Sequence, residues 1–189
     1  MEPRELLDML HIAERLKDAT RHCTTSNRRH ESVAEHSWRM ALMAYFIRDE
    51  FPEADMNKVM QMCLIHDLGE AFTGDIPTFN KTKADEKTED ALLDRWVSSL
   101  PKPLRDDMRA LYDEMNARQT LEAKIYKALD GLEAVIQNNE SPLDTWIERE
   151  YDLNLTYAYD KVSFSGWLTR LRDEIHQDTV RKIEREKAL

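Results

Sequence analysis

The dipeptide His66-Asp67 lies in the run Cys63-Leu64-Ile65-His66-Asp67-Leu68-Gly69-Glu70, which is followed shortly by Gly74-Asp75. Around it stand Met60, Cys63, Leu64, Ile65, Leu68 and Phe72, side chains that seek burial. Burying an imidazole and a carboxylate without partners costs several kcal/mol or forces them to neutralise. A bound cation suits both groups at once, and a buried His–Asp ion pair is the plainer alternative. Two more polar residues interrupt apolar segments in the same way, His36 and Asp130. The ordered set His36, His66-Asp67, Asp130 offers two nitrogen and two oxygen donors. Such mixed ligation suits one divalent ion of Mn, Co, Fe, Ni or Zn. Four protein ligands leave open positions, where a water can bind and lose a proton near neutral pH.

These residues meet only if their segments pack together. The 189 residues are 41% apolar and 34% charged, with 4 Gly and 6 Pro, a composition that favours helix. The length suits one domain with a substantial core, so a single all-α unit over 1–189 is expected. The formal net charge of −10 disfavours a nucleic acid polymer or an anionic membrane as partner. An anionic small molecule then needs a local positive site. Cys23 and Cys63 cannot build a disulfide framework, Cys63 reads as a core filler, and a reducing, cytoplasmic setting is expected. Met1 to Glu5 carries no apolar signal, and the apolar run Met40 to Ile47 is far shorter than the ~20 residues of a membrane span.

Leu6, Leu7, Leu10, Ala13 and Leu16 form a first helical stripe. Asp18 to His30 reads as a polar loop. Ser32-Val33-Ala34-Glu35 is a capping box opening a helix to about Phe51, apolar on every face beyond His36 and so expected at the centre. Asp55 caps a third helix that carries His66-Asp67 and stops at Gly74. Lys81 to Asp90 is either a mobile loop or the solvated start of a helix. Further stripes run over Ala91 to Leu100, Leu104 to Met115, and from the cap Thr120 to Ile136. Ser141-Pro142 caps another, and Ser163 or Ser165 opens the last.

Glu31-Ser32-Val33-Ala34-Glu35-His36-Ser37, His66-Asp67-Leu68-Gly69-Glu70, Gly74-Asp75-Ile76 and Ala128-Leu129-Asp130 together resemble the HD-domain phosphohydrolases, and within them the 5′-deoxynucleotidase branch. The resemblance covers about residues 5–155. It implies a helical HD bundle with His36, His66, Asp67 and Asp130 as metal ligands. It implies Glu70 as the acid/base or water-orienting carboxylate, on the same helix as His66 and facing the same side. Asp75 would stand beside the sugar or leaving oxygen, and Arg21 would bind phosphate through its guanidinium fork. His22 stands where such nucleotidases often have a bulky aromatic near the sugar. Arg28 and Arg29 also lie near His36, so the phosphate site need not rest on Arg21 alone. No histidine falls between His66 and His176, which favours one metal over two. A homodimer is expected from the resemblance only.

The expected activity is metal-dependent hydrolysis of nucleoside 5′-monophosphates, the deoxy forms foremost, to nucleoside and phosphate. Two alternatives remain at this point. One is another HD branch acting on nucleoside di- or triphosphates or guanosine polyphosphates. The other is a non-catalytic HD module that binds metal or nucleotide.

Overall fold

The computed structural model describes residues 1–187. Helix α1 (Pro3–Glu14) starts with proline in its first turn, where its missing N–H is no loss, and passes into a 3-10 turn at Arg15–Lys17. Strands β1 (Thr20–Thr24) and β2 (His30–Ser32) then form an antiparallel hairpin, with Thr20 opposite Ser32 and Thr24 opposite His30. The expected polar loop is therefore mostly a small sheet. Its tip turns through Arg28 in the left-handed region, φ 65°.

Helix α2 (Val33–Phe46) opens on the expected capping box, Ser32 accepting from the Glu35 N–H. It ends five residues short of the expected Phe51, a 3-10 turn filling Arg48–Glu50. Nor is it central on every face. Met40 and Ala44 are buried, but Tyr45 is exposed and Phe46 is 73% exposed. Asp55 caps α3 (Met56–Ile65) as expected. That helix stops at Ile65, and a short α4 (Glu70–Thr73) follows after a turn. The single helix expected to run from Asp55 to Gly74 is thus two.

The break coincides with side-chain hydrogen bonds to the last carbonyls of α3. His66 Nδ1 bonds the Cys63 carbonyl at 2.9 Å and the Tyr112 hydroxyl donates to the Ile65 carbonyl at 2.7 Å, so side chains take helix acceptors. The chain then tightens into i→i−3 bonds, Leu68 N to Ile65 O and Glu70 N to Asp67 O.

The segment from Lys81 resolves as the solvated start of α5 (Lys83–Ser99), capped by Thr82. Next come α6 (Lys102–Ala117) and the long α7 (Leu121–Glu140), which Thr120 caps. A 3-10 turn at Leu143–Thr145 leads to α8 (Glu148–Thr156), a short α9 (Tyr159–Val162) absent from the sequence reading, and α10 (Gly166–Lys187). Of the two serines, Ser165 caps α10, accepting from the Leu168 N–H. Met40, Val59, Met62, Cys63, Ile125, Leu129 and Leu132 fill the main core, where α2, α3 and α7 meet. Those three elements deliver His36, His66-Asp67 and Asp130 to one place.

Candidate metal centre and active site

Four donor atoms converge between α2, α3 and α7. His36 Nε2 lies 3.4 Å from Asp130 Oδ1 and 3.9 Å from Asp67 Oδ2. His66 Nε2 lies 3.0 Å from Asp67 Oδ2 and 4.0 Å from Asp130 Oδ1. Ligand bonds of about 2.0–2.2 Å place neighbouring donors about 3.0–3.5 Å apart, so a small divalent ion fits with minor adjustment. Ligating atoms of His36, His66 and Asp67 lie within 4.8 Å of one another. Asp130 Oδ1 stands beside that triplet, and its other oxygen accepts from Lys127 at 2.7 Å. His66 Nε2 is buried and makes no hydrogen bond among the described residues, an orphaned lone pair that an ion would satisfy. Each imidazole is oriented through its other nitrogen, His66 by the Cys63 carbonyl and His36 by the Glu133 carboxylate.

Electrostatics follow from this crowding. Burial and the Arg21 charge push His36 down, but Glu133 and Asp130 outweigh them and raise it to about 9. Burial pushes the Asp67 carboxyl up, and His66 and His36 outweigh it, holding it at about 2. Asp130 is held well below the ordinary carboxylate range, Lys127 and the two histidines overcoming burial.

Glu70 lies three residues beyond Asp67, 6% exposed, with Oε2 making no hydrogen bond among the described residues. Burial, with Asp67, Asp75 and Glu89 adding to it, raises its carboxyl to about 10. It is therefore a proton holder at neutral pH. Its neighbours are the Lys81–Glu89 ion pair at 2.7 Å and Gly69, where a Cβ would stand 2.7 Å from Glu89 Cγ. Gly74, at φ 73°, ends α4, and Asp75 follows close enough for its charge to bear on Glu70. Burial raises Asp75 too, with Arg21 opposing.

The raised Glu70 carboxyl has a consequence for stability. Its folded value of about 10 lies above the ordinary 4.5, so the folded chain keeps a proton that the unfolded chain gives up across that window. Stability is then lost as pH rises from about 5 to about 9. Glu70→Gln should raise the Tm of the ion-free chain, by about 2–4 °C per kcal/mol recovered for a domain of this size. The gap to wild type should widen with pH in calorimetric scans, and a gap that stays constant from acid to alkali would refute the buried neutral carboxyl.

Arg21 and His22 come from β1. Arg21 Nη1 donates to Glu31 at 2.8 Å and Glu133 at 3.1 Å, while Nε and Nη2 make no hydrogen bond among the described residues. His22 bonds Glu150 at 2.6 Å, meets the Phe79 ring edge-on at 5.3 Å, and is 33% exposed. Arg28 and Arg29 are drawn elsewhere, to Asp144 at 3.0 Å and Glu35 at 2.6 Å on the exposed side of the hairpin. Arg21 is left as the guanidinium beside the donors.

Sequence reasoning missed Glu133, Glu31, Lys127 and the Lys81–Glu89 pair. For Glu133 a signal existed. It is a charged residue amid Leu129, Leu132, Val135 and Ile136, three positions after Asp130 and so on the same helix face.

Comparison with known proteins identifies the family and the fold. Human 5′-deoxynucleotidase HDDC2 is 31% identical over 141 residues, which is 72% of this chain and 68% of that protein. The crystal structure of a predicted metal-dependent phosphohydrolase from Magnetospirillum magnetotacticum superposes with a TM-score of 0.77 at 26% identity, covering 95% of this chain and 93% of the other. The cyanophage S-2L HD phosphohydrolase DatZ, bound to dA and one catalytic Zn²⁺ ion, shares the fold at a TM-score of 0.53 and 21% identity, covering 98% of this chain and 96% of the other. A family model described as the HD domain matches residues 13–170. That span encloses every residue from Arg21 to Asp130 that the donors and their neighbours draw together, and the chain belongs to the HD-domain family.

Proposed function

We propose that this chain is a metal-dependent 5′-deoxynucleotidase, releasing phosphate from deoxynucleoside 5′-monophosphates. The observation that carries the reading is the set of two imidazoles and two carboxylates with the buried Glu70 carboxyl three residues beyond Asp67. The human relative's activity and the family membership support it. His36, His66, Asp67 and Asp130 would hold one divalent ion of Mn, Co, Fe, Ni or Zn. When bound, the ion supplies a Lewis acid for the phosphate and an acidified water as nucleophile.

The chain's own groups do the rest. Arg21 offers Nε and Nη2 to phosphate oxygens, while its Nη1 stays fixed between two glutamates. Glu70 keeps a proton at its carboxyl oxygen and gives it to the sugar 5′-oxygen as the P–O bond breaks. Asp75, with His22 and Phe79 nearby, borders the sugar. A purely structural ion site has no need of a buried neutral Glu70, which disfavours the non-catalytic module.

Residues 1–189 act in this reading as one HD-type unit, a homodimer in the cytoplasm. Exposed Trp38, Tyr45 and Phe46 on α2 form an apolar face of the kind pairing covers. Both cysteines are free and buried, as suits a reducing compartment. No helix among the described residues is long and apolar enough to cross a membrane.

The sugar wall sets the test. His22 is smaller than a bulky aromatic and is tied to Glu150. A pocket loosened there discriminates against one added hydroxyl by at most about 10²-fold. Deoxynucleotides should be preferred in matched kcat/KM measurements of dAMP against AMP and dCMP against CMP, with ribonucleotides still hydrolysed and little base selectivity. A consistent ribonucleotide preference would overturn the deoxynucleotidase reading. Turnover only of a diphosphate or cyclic substrate would move the chain to another HD branch.

A further inference from the structure

We propose that Glu133 is a positioning residue of the ion site: its carboxylate accepts the Nδ1–H of His36 and fixes the tautomer and tilt that present Nε2 to Asp67 and Asp130. The inference rests on the ion-binding reading above.

The two ligand imidazoles are treated differently by the fold. His66 is oriented by a backbone carbonyl of its own helix, that of Cys63 at 2.9 Å. His36 is oriented by a side chain 97 residues away, from another helix. Glu133 is 0% exposed, and His36 is 1% exposed. A buried carboxylate is strongly unfavourable unless paired and hydrogen-bonded. Its Oε2 is met by His36 and by Arg21 Nη1 at 3.1 Å, while Oε1, with Arg39 Nε at 3.7 Å, makes no hydrogen bond among the described residues. Asp130 and Glu133 are three residues apart on α7, so one face of that helix delivers both a ligand and the group that aims its fellow ligand.

A second cation site is the competing account, because Glu31, His36 and Glu133 offer ligand atoms within 4.8 Å of one another. Arg21 answers it. Its Nη1 stands 2.8 Å from Glu31 and 3.1 Å from Glu133, so a guanidinium already fills the place of the cation. The cluster is a bracket on the back of His36. It also ties the proposed phosphate-binding arginine to the carboxylate that aims a ligand.

The test measures Zn²⁺ affinity by competition with a chromophoric chelator, on wild type, Glu133→Gln and Glu133→Asp, alongside the Tm of each ion-free chain. Glu133→Gln should fold and bind Zn²⁺ about 10–100-fold more weakly, the usual effect of losing an outer partner of a ligand histidine. The His36 Nδ1 proton of the Zn²⁺-loaded chain, seen by NMR, should move upfield as the charged acceptor is lost. If the glutamine variant does not fold, Glu133→Asp carries the same expectation, since its carboxylate falls one methylene short. Wild-type Zn²⁺ affinity in either folded variant overturns the proposal. So does unfolding of both ion-free variants, which would make Glu133 a residue of the fold alone. Zn²⁺ binding and nucleotide turnover by the wild type judge the function itself, so the two failures are distinguishable.

Discussion

Asp67→Ala should yield a chain that holds no divalent ion and hydrolyses no nucleotide. Asp67 Oδ2 lies within reach of both imidazoles, 3.0 Å from His66 Nε2 and 3.9 Å from His36 Nε2. Its carboxylate is held ionised at about 2 by those same rings, burial notwithstanding. Removing it leaves two neutral donors with Asp130, whose second oxygen Lys127 already occupies. Wild-type protein should carry about one ion per chain by emission spectrometry, and the variant essentially none. An ion at such a site contributes several kcal/mol of transition-state charge stabilisation, so turnover should fall by about 10²-fold or more. The ion-loaded wild type should also melt higher than the variant, which gains no free energy of ion binding. An ion-loaded, active Asp67→Ala would remove this residue from the ligand set. Full activity in chelator-stripped wild type would sink the ion reading altogether.

Glu70→Ala should behave oppositely with respect to the ion. Glu70 makes none of the close contacts that link His36, His66, Asp67 and Asp130, so ion content should be unchanged. Its proposed work is a proton transfer in the transition state, which accounts typically for about 10²–10⁴-fold in rate. The loss should fall on kcat with KM little altered, the signature of an interaction made only in the transition state. Glu70→Gln, which keeps the shape but cannot give up a proton in the same way, should be nearly as slow. Normal turnover in either variant dismisses the acid/base role. Loss of the ion instead makes Glu70 a ligand.

The residues that do chemistry were legible because their types conflict with their surroundings. His36 and Asp130 interrupt apolar helices and His66-Asp67 follow the end of one, and the caps Ser32, Asp55 and Thr120 are local signals found where expected. What stayed hidden was set at long range. The break after Ile65 coincides with a bond from the Tyr112 hydroxyl, 47 residues away. The hairpin of Thr20–Thr24 with His30–Ser32 is too short to show alternation, and its strand order becomes visible only in the pairing. Glu133 takes its meaning from His36 on another helix. Tyr45 and Phe46 read as core from their neighbours, but α2 ends there and both side chains are exposed. A periodicity argument sees one segment at a time, and each of these features belongs to a pair.

The close approach of Gly69 to Glu89 reaches beyond packing. A methyl group at position 69 would meet Glu89 halfway along its side chain, at Cγ, and displace it. Lys81 is bound to that glutamate and is one of the charges bearing on Glu70. In a deep mutational scan scored by growth or turnover, position 69 should therefore rank among the least replaceable sites, although it has no functional group and touches no substrate. Drift in such a lineage is confined by an absent side chain as firmly as by the ligands, and redesign of the proton-holding corner has to begin by widening the gap between α4 and α5.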